Sequence, residues 1–172
     1  MDASAISQII FLIILLIFSA FFSSAETALT TVNKIRMRTL ADDGNKRAER
    51  VLRITDDSHK MLSAILIGNN IVNLSASSLA TTLAIKLWGS VGAGIATGIL
   101  TFLILVFGEI SPKTFATLYA DQISIAYSGI IGFLMKILTP VIFLVNQFSM
   151  GFLFLLHVDP KANNNQMTEE EL

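Results

Sequence analysis

The chain contains no cysteine, so neither a disulfide framework nor a thiolate metal centre is open to it. Histidine is nearly as scarce: there are two in 172 residues, His59 and His157, and both fall outside the long apolar runs. Soft and borderline metals favour sulfur and imidazole, so within those runs such metals find no ligand. Charge is thin as well. Only 15% of the residues are charged, against about 25% in an average soluble domain. No nucleophile–base pair and no cofactor fingerprint stands in the sequence, which speaks against hydrolytic or redox chemistry and against an enzyme. Finally, no basic residue precedes the first apolar run, where only Asp2 stands. A cleavable signal peptide opens on a basic segment, so Ser23, Ser24 and Ala25 do not read as a peptidase site.

What the chain has in quantity is apolar sequence, 53% of it, with a mean hydropathy of +0.67. Three runs carry no charged side chain: Ala3–Ala25 with 23 residues, Met61–Ile85 with 25 and Leu87–Gly108 with 22. About 20 such residues span a bilayer as a helix. The chain reads as an all-α membrane protein with three transmembrane helices. Its net charge of −1 hides segregation, because eight of the twelve Lys and Arg lie between Lys34 and Lys60. Short loops rich in Lys and Arg stay cytoplasmic. That puts the N-terminus outside, the 34–60 loop inside and the turn Lys86–Gly92 outside. Nucleic acid is not implied, since the same loop carries Asp42, Asp43, Glu49, Asp56 and Asp57.

Residues 3–31 read as one helix leaving the membrane near Glu26. Residues 33–60 read as a cytoplasmic helical hairpin turning at Asp42-Asp43-Gly44-Asn45. Ile35, Met37, Leu40, Val51, Leu52 and Ile54 supply its apolar stripe, fit to lie on membrane lipid or on the bundle; a plain solvated topology loop is the other reading. The second and third runs are rich in small residues, among them Gly94 and Gly98 at GxxxG spacing, which let helices approach closely within or between chains. Residues 122–156 are apolar but broken by Lys136 and Pro140. They suit either a fourth span over 137–156 or a kinked juxtamembrane helix whose Lys136 reaches the headgroups. The tail 159–172 is a polar, acidic linker ending in a helix start, Thr168 with Glu171 three residues on. The expected layout is a transmembrane domain over 1–158 and a linker leading onward.

Polar residues sit inside the spans, and ionisable groups at membrane depth are costly enough to be functional candidates. Ser19, Ser23 and Glu26 follow at i, i+4 and i+7 and share a face of the first helix. Asn69 and Asn73, with Asn70 alongside, lie about 12–18 Å into the second, at about 1.5 Å per residue. Gly108 and Glu109 lie about 24 Å into the third by the same rise. Pro112 lacks the N–H that the Gly108 carbonyl would accept in an α-helix. Hydroxyl, amide carbonyl, backbone carbonyl and carboxylate are all hard oxygen donors, the ligands of magnesium and calcium. Each feature has a plainer reading. Serines in membrane helices bond their own i−4 carbonyl, paired asparagines join helices, and Glu109 and Lys113 at i, i+4 could neutralise one another.

Three motifs carry a resemblance. Phe22-Ser23-Ser24-Ala25-Glu26-Thr27-Ala28-Leu29 resembles the pattern F-S-G-S-E-T-A-L, Gly68-Asn69-x-x-Val72-Asn73 resembles G-N-x-x-V-N, and Phe107-Gly108-Glu109-Ile110-x-Pro112-Lys113 resembles F-G-E-x-x-P-K. In order and at the right spacing, they are similar to the transmembrane module of the CorB/CorC and cyclin-M (CNNM) magnesium transporters, over residues 5–172. Ser24 and Ala25 depart from the pattern, which removes position 25 as an oxygen ligand. The resemblance implies a homodimer of three-span subunits in the plasma or inner membrane, an outside N-terminus and a cytoplasmic belt helix over 122–156. It implies that the tail leads to paired CBS domains, which would be the only contact with ATP. It further implies magnesium export, or sodium-linked exchange, with Mg2+ held by Ser23, Asn69 and/or Asn73, the Gly108 carbonyl and Glu109. Helical facing alone adds Ser19 to that set, and Glu26, Asn70, Pro112 and Lys113 are expected to shape or gate the site. Two other functions fit the residues: a membrane-anchored magnesium sensor regulating another transporter, and proton-coupled transport of a small solute through Glu109.

Overall fold

The computed structural model describes residues 3–156. These form helices and the turns between them, without a strand. The elements in chain order are α1 (Ala3–Thr31), α2 (Lys34–Asp42), α3 (Lys46–Asp56), α4 (Ser58–Gly89), α5 (Val91–Leu118), α6 (Ala120–Ile137) and α7 (Thr139–Leu155). Among the described residues, α1, α4 and α5 are each long and apolar enough to cross a membrane, with 28, 32 and 28 residues in the spanning stretch. His157 and the tail 159–172 lie outside the described residues.

The core of the bundle is α1, and its sequence sets which face is covered. Leu15, Ser19, Phe22, Ser23, Ala25, Ala28 and Leu29 are buried, whereas Ile10, Ile13, Ile17 and Phe18 are exposed. Large apolar side chains are likewise exposed along α4 (Leu66, Ile71, Leu74) and α5 (Ile95, Ile99, Phe102). In water that would be a liability; against lipid tails it carries no penalty, and association must come from close packing. Close packing is visible at Gly68. A Cβ built there would lie 2.5 Å from the Phe22 ring, so α4 reaches α1 only because residue 68 has no side chain. The connection from α4 to α5 turns on one residue, Gly89, at φ 71 and ψ −163, a region that essentially only glycine occupies.

The hairpin forms where expected, and its caps explain why. Asn33 accepts from the Arg36 N–H at 3.0 Å, Asn45 accepts from Arg47 at 3.0 Å and Ala48 at 3.2 Å, and Asp57 accepts from Lys60 at 3.1 Å. These side chains satisfy amide donors that each helix start leaves without a partner. Gly44, at φ +89, makes the turn between α2 and α3. Met37, Val51 and Ile54 are buried, and Ile35 is 78% exposed, so of the expected stripe Ile35 is not covered by the bundle. Residues two apart on a helix point to different faces, and Met37 takes the inner one. Asp121, in the first turn of α6, accepts from the Asn33 N–H and pairs with the Arg36 guanidinium, both at 3.1 Å. Tyr127 meets Phe21 with ring centroids 4.5 Å apart, which lays α6 against the end of α1.

The first compact unit ends at Lys136 and a second begins at Ile137. The expected interruption of 122–156 falls at Leu138, between α6 and α7, with Pro140 in the first turn of α7, where a missing N–H is tolerated. Neither helix alone meets the length and composition of a span; the pair does so only across its break. On α5, no atom outside the helix's own local backbone lies, among the described residues, within 4 Å of a Cβ built at Gly94 or Gly98.

Replacing Gly68 with alanine is expected to lower stability by about 1–3 kcal/mol, as overpacking does. Adding Phe22→Leu should recover part of that loss, because the two positions share one contact. Thermal unfolding of the single and double variants in detergent checks both.

Candidate cation site

Several hydroxyls in the membrane helices bond their own backbone. Ser24 Oγ donates to the carbonyls of Ala20 and Phe21 at 2.7 and 3.0 Å, and Thr31, Thr82, Thr97, Thr114 and Thr117 each donate to the i−4 carbonyl at 2.7–2.9 Å. Ser19 and Ser23 do not. Both are buried, 1% and 0% exposed, and their Oγ atoms have no partner among the described residues. Asn69 Oδ1 and Asn73 Oδ1 are in the same state on α4. Buried polar atoms are paired in the great majority of cases, so four unpaired oxygens on two facing helices require a reason. Gln8 Oε1 on α1 and Ser124 Oγ on α6 are the other such side-chain atoms found among the described residues.

The oxygens are brought to one level by glycines. Gly68 abuts Phe22, which puts the Asn69 turn of α4 beside the Ser23 turn of α1. On the third helix, a Cβ at Gly108 would lie 2.8 Å from Ser19 Oγ and 3.3 Å from Ser19 Cβ. Gly108 is thereby buried directly against Ser19. Glu109, half-buried, follows it. Asn70 is exposed, since one residue along a helix turns the side chain by about 100°.

The backbone at Gly108 departs from what the proline alone suggests. Instead of an α-helix disturbed at Pro112, Ile104–Ile110 forms a π-helical turn, and the Ser111 N–H donates to Val106, five residues back. Pro112 then opens the next α-helical stretch, Ser111–Leu118. Residue 112 would serve Gly108 in the α register and Phe107 in the π register, and it has no N–H for either. Single π turns inside α-helices occur frequently at functional sites.

The charged residues sort themselves differently from their spacing in sequence. Lys113 Nζ pairs with Glu26 Oε2 at 3.3 Å, joining α1 to α5. It does not pair with Glu109, one turn away, and Glu109 has neither an ion pair nor a hydrogen bond among the described residues. Beside Glu26 opens a cavity of about 310 Å3, lined also by His59, Leu62, Ser63 and Leu66. Leu62, Leu66, Asn69 and Asn73 follow at i, i+4, i+7 and i+11, so the cavity lies on the face of α4 that carries the asparagines. Sequence reasoning passed over His59 and Ser63; the same face periodicity, extended back from Asn69, reaches the pocket they line. No group of three or more His, Cys, Asp or Glu converges among the described residues. A cation here would meet mostly neutral oxygens.

Residues 10–172 match the family described as the cyclin M transmembrane N-terminal domain. The chain belongs to that family. A UPF0053 protein of Haemophilus influenzae is 41% identical over 173 residues, which is 100% of this chain and 41% of that protein. The UPF0053 inner membrane protein YfjD of Escherichia coli is 41% identical over 128 residues, 74% of this chain and 30% of its own length. A polyamine export protein, also of Haemophilus influenzae, is 24% identical over 177 residues, 95% of this chain and 41% of its own. The chain therefore spans less than half the length of these relatives. Within the cyclin M family its three spans and apolar surface make it a membrane protein.

Gly108→Ala is expected to force Ser19 and α5 apart and lower stability by about 1–3 kcal/mol. Ser19→Ala should relieve most of it, because the closest atom is Ser19 Oγ at 2.8 Å, and Ser19→Gly should relieve the rest by removing the Cβ at 3.3 Å. The Tm values of the three combinations in detergent read this out.

Proposed function

We propose that this domain carries magnesium ions across the membrane through a site between α1, α4 and α5. The observation that supports it is the set of four buried, unpaired oxygens, from Ser19, Ser23, Asn69 and Asn73, with Ser19 packed against Gly108 of the π turn. Hard divalent cations take oxygen ligands of this kind, and magnesium demands a compact octahedron that retains some of its water. Ser23, Ser19, the two asparagine carbonyls and the Gly108 carbonyl would replace part of the hydration shell, and Glu109 would supply the formal charge. One carboxylate among neutral oxygens favours selection without trapping, since an ion that cannot leave is not conducted. Glu26 with Lys113 would stand at the cytoplasmic entrance, beside the cavity that His59 and Ser63 line. In this reading the N-terminus faces outward and the direction is export, with sodium as a candidate coupling ion. The further length seen in the relatives would supply cytoplasmic CBS domains, and the working unit would be a homodimer.

A second cargo is suggested by the relative named as a polyamine export protein. A polyamine presents several ammonium groups and needs several unpaired carboxylates. Here Glu26 is held by Lys113, which leaves Glu109 alone and favours the single hard cation.

Saturating magnesium should stabilise the detergent-solubilised protein. At a hundredfold over its Kd the gain is about 2.7 kcal/mol, a Tm rise of roughly 5–10 °C for a chain of this size. Glu109→Ala and Asn69→Ala should abolish the rise, Ser24→Ala should keep it, and spermidine should not reproduce it. A rise unchanged in both site variants overturns the proposal. Magnesium flux into proteoliposomes by the full-length protein separates a transporter from a sensor that binds without transport.

A further inference from the structure

A second concentration of chemistry lies away from the oxygen cluster, between α3 and α6. Two adjoining cavities, of about 490 and 430 Å3, share Arg50, Gly129 and Phe133 and form one trough. Arg50 of α3, Lys60 of α4 and Lys136 of α6 converge on the larger one, and Arg47 extends the charge along the smaller. None of these four has an acidic partner within 4 Å among the described residues. Arg53, also in the wall, is already paired with Glu49 at 2.8 Å. The one carboxylate in the wall, Asp57, has an oxygen engaged by the Lys60 backbone N–H at 3.1 Å.

Three elements thus contribute unpaired cations to the lining of one trough, and an anion there would relieve their mutual repulsion. The floor is shaped for close approach. Gly129 lets Arg50 Nη1 lie 3.1 Å from the position a Cβ would take, so a larger residue would displace the guanidinium. The rim is apolar: Phe133 and Ile130 are 62% and 53% exposed. Lys60 immediately precedes the charge-free run Met61–Ile85 that enters the bilayer, so the trough lies at the level where headgroups meet hydrocarbon. Basic pockets between helices at that level bind anionic headgroups.

We propose that this trough binds the phosphate headgroup of an anionic phospholipid, with its acyl chains running over Phe133 and Ile130. Arg50 supplies a planar fork that matches a phosphate bidentately, and Lys60 and Lys136 act as point charges. A free phosphate would use the same cations but would leave the apolar rim uncovered. The choice between the two sources therefore rests on Phe133 and Ile130.

The test measures the Tm of the purified chain in detergent without magnesium, so that the cation-site proposal has no bearing on the outcome. Micelles doped with phosphatidylglycerol should raise the Tm by about 4 °C or more, the size expected of a saturating ligand; phosphatidylcholine and inorganic phosphate should not. The triple variant Arg50→Gln, Lys60→Gln, Lys136→Gln should lose the rise, and Lys136→Gln alone, at an exposed position, should lose part of it. Lys34→Gln with Arg38→Gln, which removes two cations outside the trough, should keep it. Equal shifts with phosphatidylcholine, a full shift in the trough variants, or an equal loss in the control variant overturns the proposal. A shift of the same size with inorganic phosphate assigns the trough to free phosphate and overturns the lipid reading.

Discussion

Burying an oxygen without a donor is expensive in a bundle whose surroundings offer no water, and the architecture of this domain follows from where it accepts that cost. The four unpaired oxygens of Ser19, Ser23, Asn69 and Asn73 are held on two helices that approach most tightly at a glycine. A third helix is brought to the same place through another glycine. The two glycines therefore do for the polar site what large apolar contacts do for a soluble core: they fix distance. Without a hydrophobic drive between membrane helices, backbone proximity of this kind is a main source of association.

The π turn solves a related problem on α5. A carbonyl inside a helix is normally occupied by its own ladder, so a helix has no main-chain oxygen to present sideways. Widening the turn over Ile104–Ile110 and following it with Pro112 interrupts that ladder over one stretch. The interruption falls beside Ser19, and the helix resumes at once, so the cost is local. Both halves of the device are needed. A proline in an intact α-helix would kink it, and a π turn with a full set of N–H donors would re-form its bonds in the wider register.

Much of the fold could be read from residue order. The three charge-free runs correspond to α1, α4 and α5, the Asp42–Asn45 turn falls between α2 and α3, and the break near Pro140 lies at Leu138. These are properties of period, length and turn chemistry, which act locally. The site was legible only as a list of oxygen-bearing residues. Spacing groups Ser19 with Ser23 and Asn69 with Asn73, but it did not separate them from Asn70, which the structure leaves exposed. It could not tell which serines bond their own helix, because Ser23 and Ser24 are alike in composition and differ only in what packs on them. Nor could it give Lys113 its partner: Glu109 is one turn away, whereas Glu26 lies 87 positions back and meets it only once α1 and α5 are packed.

That last pairing has a consequence for charge. With Glu26 paired to Lys113, Glu109 is, among the described residues, the carboxylate of the spans that no cation holds. For the divalent ion proposed above, occupancy would turn the site from net negative to net positive. In a medium of low dielectric, a second cation approaching over the same helices would then meet repulsion. The Lys113–Glu26 bridge, about one turn from both Ser23 and Glu109, would thereby favour one ion at a time, each having to leave before the next can enter.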